Sequence, residues 1–270
     1  MRRLPLLLLA FFSLTLLADD RTTPVATILC YHEVDPTGPP SHDTIPRRTA
    51  TGPAPTEQLR YTATRENFNA QLDYLSANGY HVIPLAELVA FLKGTRDSLP
   101  PRAVVITVDD GWLCSYTEIT PALAKRKWPF TLFVYPRIVG RGTHAVSWKQ
   151  VTEMARSGVD IESHTFSHPF LTMKNNHNVT AETYPQFLQH ELVESKQTIE
   201  EHTGKGVRFL CYPFGDYDTT VAEAASKAGY EAALTTERGV ITRSTPLLQL
   251  KRYLIHNDTT LDEFKTFLVR

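Results

Sequence analysis

Apolar residues along the chain follow two alternating patterns, short unbroken runs and longer runs at helical spacing. The short runs are rich in Val, Ile, Leu and Phe, which is typical of strands buried on both faces of a parallel sheet. They occupy residues 26–31, 80–83, 103–108, 130–135, 159–162, 207–212, 231–235 and 253–256. Strands that alternate with helices in this way predict a parallel α/β architecture in a single domain.

Apolar residues three and four positions apart predict helices between these runs. Phe68, Leu72 and Leu75 mark the first helix, and Asn78-Gly79 ends it. The other predicted helices lie near residues 85–92, 119–127, 148–158, 188–204, 221–228 and 261–269. Residues 35–55 are rich in Pro, Gly, Ser and Thr and predict a long loop at the rim of the fold.

The polar motifs of the chain all fall at the C-terminal ends of predicted strands. In a barrel these ends converge on one face, where active sites form. We therefore predict a distorted (β/α) barrel. Periodicity alone leaves a doubly wound sheet open as the alternative.

The N-terminus departs from the average composition. Met1-Arg2-Arg3 is positively charged, residues 4–17 are almost wholly apolar, and Asp19-Asp20 follows Ala18. This pattern predicts a signal peptide at residues 1–18 and a short leader at 19–25, hence a secreted, periplasmic or cell-envelope protein. An uncleaved anchor is the alternative, but the apolar run is short against the roughly 20 residues of a membrane span, so no stable span is expected.

The net charge bears on binding to nucleic acid, and the cysteines bear on disulfide bonds. The net charge of −1 and the sequence pI near 6.8, without a basic stripe, predict no binding to nucleic acid. Cys30, Cys114 and Cys211 are odd in number and far apart, so they predict no disulfide framework. We expect small buried thiols, and one disulfide stays open in an oxidising compartment.

Two neighbouring carboxylates end the most apolar strand. Asp109 and Asp110 follow residues 103–108, and Gly111 permits a tight turn there. One carboxylate can bind a cation while the other stays free to act as a base. A solvated Asp-Asp-Gly turn is the simpler alternative.

Two histidines follow the strand at residues 159–162. His164 and His168 are four residues apart, a spacing that allows both side chains to bind one metal ion. With Asp110 they offer two nitrogens and one oxygen, and three protein ligands with an open fourth position are typical of a catalytic metal site. Two unrelated loop histidines are the alternative.

Three further segments carry polar or turn-forming residues at strand ends. Residues 211–217 place Pro and Gly around Phe214, whose backbone N–H can stabilise an oxyanion, unless this is only a packed turn. His32 ends the first strand and is a candidate general acid. Arg252 and His256 flank the last strand, and Arg252 is either a partner for a carboxylate or a surface cation.

Taken together, these motifs resemble the polysaccharide deacetylase family, carbohydrate esterase family 4. Its Thr-Phe-Asp-Asp-Gly motif corresponds to residues 107–111, its His-Ser/Thr-x-x-His motif to residues 164–168, and its Arg-Pro-Pro-Tyr-Gly motif, less closely, to residues 211–215. The opening residues 29–34 and the stretch 75–83 resemble the circularly rearranged members, which include poly-N-acetylglucosamine deacetylases. The similarity runs from residue 26 to the end, so residues 26–270 would be the catalytic domain.

The resemblance implies a role for each motif residue. Asp109 would be the general base, and Asp110, His164 and His168 would bind a divalent metal, usually zinc. The N–H of Phe214 would line the oxyanion hole.

Two departures from the family pattern concern the acid and the base. Cys211 replaces the family Arg that tethers the base, and Arg252 is the candidate substitute. For the general acid, the rearranged subgroup favours His32 over His256.

The expected function is hydrolysis of N-acetyl groups on an extracellular or cell-envelope glycan such as poly-N-acetylglucosamine. A glycan-binding protein that lost activity, and an O-acetyl esterase or other metal-dependent amidase, are the alternatives.

Overall fold

The computed structural model describes residues 21–35 and 61–269. The predicted signal peptide and almost all of the predicted long loop lie outside the described residues. Within them the chain folds into strands that alternate with helices, as the apolar pattern predicted. No helix among these residues has the length and apolar character needed to cross a bilayer.

The strands of the described residues belong to one large sheet and one small one. They are β1 (Pro24–Tyr31), β2 (Glu33–Asp35), β3 (Thr62–Thr64), β4 (His81–Val82), β5 (Ala103–Val108), β6 (Thr131–Val134), β7 (Asp160–Ser163), β8 (Phe209–Cys211), β9 (Ala232–Leu234), β10 (Ile241–Thr242) and β11 (Tyr253–Leu254).

Helices connect most of the strands. They are α1 (Arg65–Ala77), α2 (Leu85–Leu92), α3 (Thr120–Arg126), α4 (Trp148–Ser157), α5 (Tyr184–Leu188), α6 (Ser195–Thr203), α7 (Thr219–Lys227) and α8 (Leu261–Phe267). Two π-helical segments, Ser115–Ile119 and Gln189–Glu194, precede α3 and α6, and Pro213–Gly215 and Leu247–Gln249 form 3₁₀ turns.

The large sheet curls into a distorted barrel. Strands β1, β5, β6, β7, β8 and β9 are hydrogen-bonded in that order, and each pair is parallel. Leu250 forms a parallel bridge with Leu234 of β9, and β11, which follows Leu250, pairs in parallel with β1. Residues 250–254 therefore connect the two ends of the curled sheet, as the barrel prediction requires.

Alternate residues of each strand face different layers of the fold. Ile28, Val105 and Leu234 pack in one cluster together with α2, whereas Leu29, Ile106 and Val108 pack in a second cluster with the other helices. Because side chains along a strand alternate between faces, this separates a barrel interior from an outer helical layer.

The helix boundaries follow local sequence signals. Ser147 begins α4 in a capping box with Gln150, and Gly158 ends it in the left-handed conformation at φ 101°. Thr64 caps α1 by accepting a hydrogen bond from the backbone N–H of Asn67.

Several features differ from the predicted pattern. Strand β1 begins at Pro24, inside the predicted leader, and β2 and β3 form a short parallel pair that no apolar run signalled. Strand β10 pairs antiparallel with β1. Strands this short show no periodicity of their own, so a sequence pattern finds them only where they lie within a longer apolar run.

Candidate active site

The two carboxylates that follow β5, Asp109 and Asp110, lie in different surroundings. Asp109 continues the alternation of the strand and is buried, with its backbone N–H bonded to the carbonyl of Tyr31. Asp110 then takes a left-handed conformation (φ 75°), followed by Gly111 at φ 86°. A Cβ on Gly111 would approach Val134 Cγ1 to 3.1 Å, so this turn suits glycine on both grounds.

Arg252 binds Asp109 with both ends of its guanidinium. Its Nη1 donates to Oδ1 at 2.9 Å and its Nη2 to Oδ2 at 2.8 Å. The same guanidinium donates through Nε to the carbonyl of Thr235 and through Nη1 to the hydroxyl of Thr107. Arg252 is only 1% exposed, so this is a buried bidentate ion pair and not a surface cation.

Two thiols complete the surroundings of Asp109. Cys30 and Cys211 each donate from Sγ to Asp109 Oδ2 at 3.3 Å. Burial raises the pKa of both thiols well above its usual value, so they are protonated donors. The expectation of small buried thiols is therefore incomplete, because both of them also contact a carboxylate.

The residues around Asp109 keep its carboxyl group ionised. Burial alone would raise the pKa of this carboxyl, but the nearby positive charge of Arg252 and its hydrogen bonds outweigh burial and hold the pKa well below the usual range. Asp109 is therefore ionised at neutral pH, which a proton acceptor must be.

The second carboxylate meets the two histidines. Asp110 Oδ1 lies 3.6 Å from His164 Nε2 and 3.5 Å from His168 Nε2, and the three ligand atoms lie within 4.8 Å of one another. Ligands placed tetrahedrally about 2.1 Å from one zinc ion are about 3.4 Å apart, so these atoms fit such an ion.

Further hydrogen bonds orient these three side chains. His164 Nδ1 lies 2.8 Å from the carbonyl of Cys211, which leaves Nε2 facing Asp110, and the indole N–H of Trp112 donates to Asp110 Oδ2 at 2.9 Å. Burial lowers the pKa of His164 and His168 to about 4. Both imidazoles are therefore neutral at pH 7, the form that binds metal.

Glu191 holds the loop that carries the two histidines. Its carboxylate accepts hydrogen bonds from the backbone N–H groups of Phe166 and Ser167 at 2.9 and 2.8 Å, and from the Ser167 hydroxyl at 2.6 Å. Glu191 is buried in the π-helical segment before α6. Such segments are frequent at functional sites.

Backbone strain concentrates around the site. Among the described residues, six other than glycine have positive φ, and four of them are Asp110, Thr165, His168 and Phe214. A non-glycine residue in this region costs about 1–2 kcal/mol. The loops at the C-terminal ends of β5, β7 and β8 thus hold the candidate site residues in conformations they would not adopt alone.

The two candidate acids lie on either side of one tyrosine. His32 Nε2 is 4.0 Å from Asp109 Oδ2. The ring of Tyr61 lies 4.8 Å from that of His32 and 5.2 Å from that of His256. The imidazole of His32 therefore lies close to the candidate base.

Phe214 lies in the tight turn after β8, at φ 58°. Its ring meets the ring of His168 edge-on at 4.6 Å. Gly215 follows at φ 68°, where a Cβ would lie 2.8 Å from the backbone nitrogen of Thr236. The close approach of the two backbones fixes this turn beside the histidines.

Sequence reasoning selected the side chains that meet here but missed their supports. Glu191, Cys30 and Tyr61 gave no signal of a role at the site. Cys30 and Asp109 could have been linked, because both fall on inward positions of adjacent strands. Glu191 comes from a helix distant in sequence, and no local pattern marks it.

Known proteins are similar to this chain in sequence and in fold. The polysaccharide deacetylase family matches residues 96–233. The Bacillus subtilis protein YxkH is 32% identical over 189 residues, covering 70% of this chain and 63% of YxkH. A poly-β-1,6-N-acetyl-D-glucosamine N-deacetylase of Escherichia coli is 26% identical over 240 residues, 76% of this chain and 35% of that protein.

The fold is shared as well. IcaB from Ammonifex degensii has a TM-score of 0.71 and 27% sequence identity, and the match covers 90% of this chain and 94% of IcaB. The chain spans less than two-thirds of the length of the two curated relatives above. Sequence match, barrel and motif residues agree, and the chain belongs to the polysaccharide deacetylase family.

Proposed function

We propose that this protein hydrolyses N-acetyl groups on a cell-envelope polysaccharide, with poly-β-1,6-N-acetylglucosamine as the candidate substrate. The observation that carries the proposal is that a candidate metal site and an ionised carboxylate lie side by side at the end of β5. Asp110, His164 and His168 converge as metal ligands, and Asp109 lies beside them, ionised and held by Arg252.

A divalent metal, for which two imidazoles and a carboxylate favour zinc, would supply Lewis-acid polarisation and activate water when bound. Asp109 would accept the proton of the attacking water, and Arg252 would fix the direction of its carboxylate. The backbone N–H of Phe214 would donate a hydrogen bond to the developing oxyanion. His32 would protonate the departing amine.

We also propose that the chain is exported. Support comes from the sequence pattern of residues 1–18 alone, with its charged start and apolar run. N-acetylated polysaccharides of the cell envelope lie outside the cytoplasm, so export would bring the enzyme to its substrate.

The proposal is tested by measuring acetate released from oligomers of β-1,6-linked N-acetylglucosamine. We expect turnover by the purified protein, its loss after removal of metal with a chelator, and its return on addition of zinc. An O-acetylated glycan of similar length serves as the comparison, because the alternative esterase function predicts release from that substrate alone. Tight binding of the oligomer without any acetate release would instead favour the glycan-binding alternative.

A further inference from the structure

Large apolar side chains are exposed at three positions among the residues that the structure describes, and two of them are in contact beside the metal triad. Phe170 and Phe214 are 42% and 48% exposed. Their rings stack with centroids 4.4 Å apart, and the Phe214 ring also meets the ring of His168. Single exposed apolar residues are ordinary, but a paired apolar face next to a catalytic group indicates a binding surface.

Buried polar groups hold the two chain segments that carry these rings. Asp216, in the turn of Phe214, accepts hydrogen bonds from the backbone N–H of Thr172 at 2.8 Å and from its hydroxyl at 3.0 Å. The side-chain amide of Asn176 donates to the carbonyl of Phe170 at 2.9 Å. Asp216 and Asn176 are both buried. The two rings are thus positioned before any ligand binds, which lowers the entropic cost of binding.

We propose that the stacked pair of Phe170 and Phe214 is an aromatic platform whose outer face, on Phe170, stacks against a sugar ring of the glycan. This inference rests on the proposed function. One face of a β-linked N-acetylglucosamine ring presents C–H groups, and the electron-rich face of an aromatic ring attracts such hydrogens.

The order of the rings assigns the sugar that the platform binds. Phe214 lies between His168 and Phe170 and stacks on Phe170, so it supports that ring from the side of the metal triad. The sugar whose acetamide reaches the metal would lie over the triad. Phe170 lies one ring further out and would meet the neighbouring sugar. The platform would therefore make the enzyme prefer an oligomer over a single sugar.

The test is Phe170→Ala assayed on a β-1,6-linked N-acetylglucosamine pentamer. Losing one stacking partner should raise KM about fivefold to tenfold and change kcat by less than about twofold. Acetohydroxamate, a small metal-binding inhibitor that does not reach the second ring, should inhibit the variant and the wild type equally. Zinc content should also be unchanged.

Two matched variants separate stacking from other effects. Phe170→Tyr keeps the ring and should keep the wild-type KM. Met173→Ala removes an equally exposed apolar side chain from the same loop and should have no effect. An unchanged KM in Phe170→Ala, an equal rise in Met173→Ala, or a loss of zinc in Phe170→Ala would each overturn the platform. So would an unchanged KM together with weaker association with phospholipid vesicles, which would make the patch a membrane contact.

Calorimetric binding of the pentamer keeps this inference distinct from the proposed function. If the wild type binds the pentamer without releasing acetate and Phe170→Ala binds it more weakly, the proposed hydrolysis fails and the platform stands. If the wild type releases acetate and Phe170→Ala behaves identically, the platform alone fails.

Discussion

Asp109 and Asp110 are adjacent in sequence, yet the regions around them are built in opposite ways. Asp109 lies in the barrel interior, where strand residues and Arg252 surround it and exposure is only 2%. Asp110 lies with His164 and His168 on loops that depend on strained backbone conformations. The interior holds one charge with a buried cation, whereas the loops bring together three side chains that could bind a metal ion.

One strand end can thus serve two chemical tasks, holding an ionised carboxylate and offering a metal site. The interior of a barrel is dry and closely packed, so it can hold an ionised carboxylate only with a matching cation. Loops at the same end can offer a metal site that remains accessible. The difference predicts that substitutions around Asp109 affect folding stability and turnover but not metal affinity, and that those around the loops affect mainly metal affinity.

The largest effect on stability is expected for Arg252→Met. This change leaves the buried charge of Asp109 without its partner, which costs about 3–5 kcal/mol in unfolding free energy. Urea denaturation of the purified variant measures that loss. Arg65→Met is the matched control, since its ion pair with Glu118 is far more exposed and should contribute at most about 1 kcal/mol. Equal losses in the two variants would contradict the comparison.

A smaller effect is expected for Glu191→Gln, and it concerns metal affinity instead of folding stability. The amide cannot accept three hydrogen bonds as the carboxylate does, so the loop of His164 and His168 should loosen. We expect metal affinity to fall roughly 10–100-fold, the usual effect of losing a residue that holds metal ligands in place without binding the metal itself. Competition with a chelator measures this affinity. Glu194→Gln, on the exposed side of the same helical stretch, should leave the affinity unchanged. Wild-type affinity in Glu191→Gln would refute this role.

The smallest effect is expected at Cys211. Cys211→Ser keeps a donor to Asp109 and should lower kcat by about threefold or less, because one neutral hydrogen bond contributes little once Arg252 is in place. Steady-state acetate release measures this change. A loss of acetate release far beyond threefold in Cys211→Ser would instead make the thiol a main support of Asp109.

The sequence predicted the alternation of strands and helices and the barrel, because buried parallel strands leave unbroken apolar runs. It also singled out side chains that the structure brings together, because polar side chains at strand ends stand out against these runs. The support of Asp109 by Arg252 was only a candidate, since the two residues are 143 positions apart and meet through barrel closure. Glu191 could not be predicted, because two of its three hydrogen-bond donors are backbone N–H groups, which carry no sequence signal, and the third is the hydroxyl of Ser167, 24 positions away.

The separation of tasks between the two carboxylates is tested most directly by measuring bound zinc and acetate release in Asp109→Asn and Asp110→Asn. We predict that Asp109→Asn binds as much zinc per chain as the wild type and releases acetate about 10²–10⁴-fold more slowly. Asp110→Asn should lose both zinc and activity. Loss of zinc from folded Asp109→Asn, or full acetate release by that variant, would contradict the assignment of Asp109 as base and Asp110 as metal ligand.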